Sequence, residues 1–554
     1  MPFLAVLFLF LPTASISAAT YYVGENGDYA TLELLRTSGV LADGDTIVLN
    51  KDDNSLRGSF TNTLTFQGTG SISRATSVKF FNNTTANGDI TIDSGSLAFR
   101  NFPGTGSSNG GAISARRVEI LNGTNTFSGN SASNWGGALY ASNGILISGG
   151  ENIFSGNVAN WGGALGSGNT TITGGTNLFT GNSARSSFGA ICGNTTISGG
   201  TNTFSGNSSA GRGGAIGNEN SNYTVSIIGG ENTFTNNTAR STGGAISFYA
   251  NGTVRATAGK GDFTFQGNRD GVDANGNGGK ANAIHFDGSP TIAAGTGQSI
   301  YFYDPITTAT GSRTININNL ATDTGKVVFD GSYWYDKDPT RTQDRHSAVS
   351  GNTTVGYGEM ALMGNVIYGT TYTQASNYGS FTLGQEATLS SDNTVNRLNA
   401  SWATINGTVD IANGGILELV APNYSGVNFN GTMTTGLGMN SSGYLDVLGN
   451  LTFGKSAALN LYWNDDVSCL YDGWEHTYSF FGASGNMSGF DYLTMLDMSA
   501  FDVYKGFSWG WANNMLFLSY TEVDDTSTPE PATLAIIGLG LVGLGLARRR
   551  WRRK

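Results

Sequence analysis

Between residues 110 and 270 the apolar and polar positions recur with a long period, not with the short periods of a lone helix or strand. The unit Phe-x-x-Asn appears as Phe127 and Asn130, Phe154 and Asn157, Phe179 and Asn182, Phe204 and Asn207, Phe234 and Asn237, and Phe265 and Asn268. Successive phenylalanines are 27, 25, 25, 30 and 31 residues apart. A second signature, Gly-Gly-Ala with Ile or Leu usually next, starts at Gly136, Gly162, Gly213 and Gly243, and Phe188 replaces its first glycine once. A further copy starts at Gly110. The offset from Phe to the signature is 9, 8, 9, 9 and 9 residues, whereas the return arm is 18, 17, 16, 21 and 22. One arm keeps its length and the other absorbs insertions, as expected when residues register with a stacked neighbour and loops vary at a corner.

Each unit divides into three short strand-like runs, for example NTTISGG, TNTFSGN and GGAIG within 194–216. Asn and Gly mark the corners, where positive φ is required. Three strands per ~25 residues predict an all-β parallel solenoid rather than a sandwich. Each Phe is then expected to stack inside on the Phe of the next coil, and burying one is worth about 1.5–3 kcal/mol. Each Asn is expected to form an amide ladder between coils. Gly-Gly-Ala predicts a tight corner with space for only a small inward side chain.

The pattern divides the chain into segments. Residues 1–19 read as a signal peptide, with the apolar run 3–11 followed by Ser17-Ala18-Ala19, although no Lys or Arg precedes the run. Residues 20–50 read as an N-terminal cap, with strands at 21–23 and 45–49 and a short helix over Tyr29 to Arg36. The β-helix is expected over 51–331, a solvated polar loop over 332–346, further solenoid or a β-rich cap over 347–520, and a linker over 521–528. The apolar stretch 532–547 predicts a transmembrane helix, and the basic tail 548–554 sets its cytoplasmic end.

Composition sharpens this picture. With 82 Gly and 12% charged residues the chain would tend to disorder, but 30 Phe and 22 Tyr give it something to bury. The net charge is −11, and six positive charges sit in the last seven residues. An acidic body disfavours nucleic acid as a partner. Two cysteines, Cys192 and Cys469, are too few for a disulfide framework and are expected many coils apart.

Pro529-Glu530-Pro531, the apolar run and the basic tail occur in that order and resemble the PEP-CTERM sorting signal of Gram-negative bacteria. That resemblance implies an exosortase-type processing enzyme as a partner, with Pro529, Glu530 and Pro531 as its recognition motif. It also implies membrane contact through the C-terminal helix and export to the surface or matrix. The Gly-Gly-Ala and Phe-x-x-Asn units resemble the repeats of chlamydial polymorphic membrane proteins. YFYDPI at 301–306, TININ at 314–318 and TGKVVFDG at 324–331 resemble the middle region of those proteins in the same order. This second resemblance implies a right-handed parallel β-helix exposed at the cell surface and acting in adhesion. The chain departs from that family at its end, where the PEP-type signal stands in place of a translocating barrel.

Parallel β-helices also host polysaccharide enzymes, which need clustered carboxylates. Asp465-Asp466 and the set Asp336, Asp338 and Asp344 are the candidates, and His285, His346 and His476 are scattered. Asp273, Asn275 and Asn277 with Gly278 begin like a calcium loop, but Ile284 stands where a bidentate Glu is required. An Asn-Gly corner is the simpler reading. No cofactor or metal is expected. The sequence therefore predicts a non-catalytic, adhesin-like or matrix protein whose ligand is an extracellular polymer or cell-surface group. A polysaccharide-active enzyme and a purely structural coat component are the alternatives.

Overall fold

The computed structural model describes residues 18–73, 79–84, 88–104, 108–218, 221, 223–311, 313–370, 379–421, 426–437, 441–463, 476–489, 507–512 and 515–520. They form an all-β parallel solenoid of about 15 turns. The described strands form sheets of 33, 6 and 8 members. Their pairing is parallel except in one hairpin, Arg269–Val272 with Gly278–Ala281, and at the C-terminal end.

Parallel pairing in strict register places like on like. Ile92, Ile120, Ile147, Ile172, Ile197 and Ile227 lie side by side on successive coils, and all are fully buried. β-Branched side chains suit this pleated, fully buried surface. A second internal column is the phenylalanine stack. From Phe99 through Phe127, Phe154, Phe179, Phe204 and Phe234 to Phe265, ring centroids are 4.7–4.9 Å apart and planes agree within 4–5°. Phe302 and Phe329 continue it at 5.0 and 5.2 Å. The centroid spacing matches the ~4.8 Å strand spacing, so the backbone ladder sets the distance between rings.

Two backbone constraints explain the glycines of the repeat. The residue two after each Phe has positive φ: Gly129, Gly156, Gly181, Gly206 and Gly267 lie at 60–77°, and Asn236 at 55°. Asn tolerates this region better than other side chains, which accounts for the one exception. At the Gly-Gly-Ala corner the first position lies at 60–73° in Gly110, Gly136, Gly162, Gly213 and Gly243. A Cβ on the second glycine would lie 2.0–2.2 Å from a carbonyl oxygen of the next coil at Gly137, Gly163, Gly189 and Gly214. Phe188 takes the corner at φ 67°, a costly conformation for a bulky residue. Its ring is buried, and Gly213 and Gly217 leave the room for it.

At the N-terminal end the helix is Leu32–Ser38, capped by the Thr31 side chain and ended by Gly39 in the left-handed region. Leu32 and Leu35 join the solenoid core. Parallel pairing continues well past residue 347, to His476–Ala483 and Met487–Ser488. His476–Ala483 then meets Met515–Tyr520, and that strand meets Phe507–Ala512, both antiparallel, so the parallel stack ends there.

The segment 332–346 differs from the solvated loop its charges suggest. It contains a helix, Ser332–Tyr335, and a 3-10 turn, Thr342–Arg345. Trp334 and Asp344 are buried at 7% and 2% exposure. The physical reason is that its charges are used locally: Asp344 accepts from the Ala281 backbone N–H at 2.7 Å and pairs with Arg341 at 2.7 Å.

The expected transmembrane helix 532–547, the sorting motif, most of the signal peptide and Cys469 lie outside the described residues. Among the described residues no helix is long and apolar enough to cross a membrane. Because its ring fills a fully buried column, Phe179→Ala should destabilise the protein by about 3–5 kcal/mol, read as a lowered denaturant midpoint.

Candidate functional site

The residues singled out by the repeat lie inside the rod. Asn130, Asn157, Asn182, Asn207, Asn237 and Asn268 are all fully buried. Each Nδ2 donates to the Oδ1 of the Asn in the next coil at 2.9–3.0 Å, from Asn130 as far as Asn237 onto Asn268. The second amide hydrogen goes back to the preceding coil, as from Asn157 to the Phe127 carbonyl at 2.9 Å. Each Oδ1 also accepts the backbone N–H of the preceding Asn. Every side-chain hydrogen-bonding group is thus satisfied, which is what makes burial of an amide tolerable.

A second ladder runs through Asn125, Asn152, Asn177, Asn202 and Asn232, two residues before each Phe, at 2.9–3.0 Å. The repeat reading passed over it. Its signal was present in the recurring Thr-Asn or Glu-Asn before x-Phe. It begins abruptly: Leu97 pairs with Asn125, and the Asn125 Oδ1 is buried without a hydrogen-bond partner.

Both ladders point the same way, with amide N–H groups facing the C-terminal coil. The first ladder therefore ends on an unmatched donor at Asn268, and a carboxylate meets it. Asp304, 1% exposed, accepts from Asn268 Nδ2 at 2.7 Å and Asn268 N at 2.8 Å. Its other oxygen accepts from Gly267 N at 2.8 Å and Trp334 Nε1 at 2.9 Å. Burial pushes the Asp304 carboxyl up to about 6, against the pull of these donors. The segment 332–346 is therefore the clamp over the ladder's end. Arg269 sits 5.1 Å over the Trp334 ring, and Lys337 sits 3.9 Å over Tyr333.

The chemistry-bearing residues are dispersed. Asp336 ends its helix, Asp338 holds the Thr340 hydroxyl, and Asp344 is tied to Ala281, so Asp338 and Asp344 are engaged by separate partners. Asp465 and Asp466 lie outside the described residues. Asp273 accepts the backbone N–H groups of Asn275 and Asn277 at 2.8 and 2.9 Å, closing a hairpin turn. Among the described residues no group of three or more His, Cys, Asp or Glu is placed to hold a metal. His346 contacts the Gly369 carbonyl, and His476 opens the terminal antiparallel strand.

The structure does assemble one relay that the sequence could not assert. His285 Nδ1 lies 2.8 Å from the Thr307 hydroxyl, and its Nε2 lies 3.2 Å from Asp287. Asn282 Nδ2 donates to the same hydroxyl at 2.7 Å, and Arg212 pairs with Asp287 at 2.6 Å. His285 and Thr307 are each 7% exposed. Burial lowers the His285 pKa, so the ring stays neutral at physiological pH. The arrangement ties three coils together.

Comparison with known proteins agrees with the geometry. The PEP-CTERM protein-sorting motif matches residues 527–553. The Chlamydia polymorphic membrane protein repeat matches residues 126–142, 203–219 and 233–249. A curated relative, "Probable outer membrane protein pmp7" of Chlamydia pneumoniae, is 31% identical over 128 residues, which is 22% of this chain and 13% of the relative. No solved structure matches the chain.

Two predictions follow from the buried carboxyls. Asp304→Ala strands the ladder's donors and should cost about 3–5 kcal/mol, with a red shift in tryptophan emission as Trp334 loosens. Asp270 is 2% exposed, one of its oxygens lacks a partner, and burial raises its pKa to about 6. A raised folded-state pKa means that stability falls as pH climbs from about 4 to about 6. Asp270→Asn, the neutral isostere, should therefore raise the melting temperature at pH 7 and lose most of that advantage by pH 4.5.

Proposed function

We propose that this protein is a secreted, non-catalytic surface protein of a Gram-negative bacterium, adhesin-like or part of the extracellular matrix. An exosortase-type enzyme sorts it through Pro529, Glu530 and Pro531, and the segment 532–547 anchors it to the membrane at least transiently. The observation that carries this reading is the joining, in one chain, of a rod built on polymorphic-membrane-protein repeats to a C-terminal PEP-CTERM motif.

The rod's outer face supports a presenting role. One outward column runs through Thr20, Thr46, Thr65 and Thr91, is interrupted by Glu119 and Leu146, resumes through Thr171, Thr196, Ser226, Thr253 and Thr291, and passes Asn316 to Thr354, Thr382 and Thr404. Hydroxyls repeated at the strand spacing keep a long sheet soluble and leave it able to meet polar ligands. The relative's printed name places that protein at the outer membrane, and the same location is proposed here.

The test is a tagged chain in a bacterium that carries an exosortase. The intact protein should be digested by protease added to whole cells, and the purified form should mediate binding to cells or matrix. Pro529→Ala with Pro531→Ala should leave an unprocessed form in the inner membrane. Equal surface exposure of that double variant would contradict the sorting role, and protection of the wild-type chain from protease would contradict the surface location.

A further inference from the structure

The outer face beyond the repeats carries a shallow concavity of about 210 Å³, lined among others by Lys326, Glu359, Ser390, Asp410 and Tyr462. The register explains how residues so distant in sequence meet. Lys326 pairs with Glu359, Ser390 pairs with Asp410, Asp410 pairs with Thr434, and Thr434 pairs with Asn460 on the strand that ends in Tyr462 and Trp463. The lining spans five coil steps, about 24 Å at the strand spacing.

Its groups are unequal. Lys326 binds Glu359 at 2.7 Å, and the Ser390 hydroxyl donates to the same carboxylate oxygen, so Glu359 is neutralised and held. Asp410 lines the concavity without such a partner: its Oδ1 is shut off from solvent and unpaired, so an external hydroxyl can meet only its Oδ2. Tyr462 is 41% exposed at the other edge of the concavity. A partly exposed aromatic ring and a carboxylate edge, with serines and Ala412 in the same lining, are surface chemistry for a polyhydroxylated chain. C–H faces pack on the ring, and hydroxyls donate to the carboxylate. A small apolar ligand would need a deep enclosed pocket. Polyanions meet an acidic protein of net charge −11.

We propose that this concavity is a carbohydrate-binding subsite for a neutral polysaccharide, with Asp410 as the hydroxyl acceptor and Tyr462 as the stacking platform. The proposal rests on the surface-protein reading and names the ligand class for it.

The experiment is affinity electrophoresis of the purified chain through gels containing neutral glucans or uronic-acid polymers, alongside whole-cell binding. Wild type should be retarded by at least one neutral polymer and not by the uronic-acid polymers. Asp410→Asn and Tyr462→Ala should each weaken retardation at least tenfold. Tyr249→Ala, an exposed tyrosine elsewhere on the rod, should leave it unchanged. Circular dichroism confirms that each variant folds. No retardation of wild type by any neutral polymer, retention of binding by both variants, or preference for the uronic-acid polymers would overturn the subsite. Cell binding that persists without polysaccharide binding overturns the subsite alone, whereas wild type that binds neither cells nor polymer overturns the surface role as well.

Discussion

The spacing between parallel strands, about 4.8 Å, is the constraint from which the rest of this molecule follows. At that distance each side chain has the same position of the next coil as its neighbour. Interactions that repeat well at that spacing are amplified along the rod, and those that repeat badly are removed. Aromatic rings, β-branched side chains and amides repeat well. Like charges do not, and the repeat region has few of them. The glycines obey the same rule, because the second glycine of each corner has the next coil's carbonyl where a Cβ would stand.

Repetition also creates a boundary problem. An amide ladder has a direction, so one end presents acceptors and the other donors. The first ladder settles both ends: Asn130 takes the Phe102 backbone N–H, and Asn268 gives to Asp304. A carboxylate suits the donor end because it accepts without having to pass a donor on. The second ladder has no such finish at its start, where Asn125 keeps an unpaired oxygen. The clamp formed by residues 332–346 therefore has a structural purpose, although its sequence looks like an ordinary charged insertion.

Much of the scaffold was legible because period and geometry coincide. Phe127 to Phe265 and Asn130 to Asn268 announced themselves by recurrence, and Asn236 in place of glycine was a readable sign of positive φ. What stayed hidden was whatever occurs once. Asp304 lies two residues after its Phe, not three, so the repeat template misses it. Trp334 meets it from 30 residues away. The relay of Thr307, His285 and Asp287 and the concavity around Asp410 both depend on coil register, which insertions of differing length conceal. A surface chemistry assembled from five coils leaves no local motif.

The in-register stack is tested most directly by disulfide trapping in a Cys469→Ser background. Thr176 and Thr201 face outward and are Cα partners on adjacent coils. Cysteines there would fall within the Cα separation a disulfide spans, about 4.4–6.8 Å. Oxidation should cross-link a Thr176→Cys, Thr201→Cys protein rapidly and leave a Thr176→Cys, Thr203→Cys protein largely reduced. Equal cross-linking of the two pairs, or faster closure of the second, would contradict the register on which the rod is built.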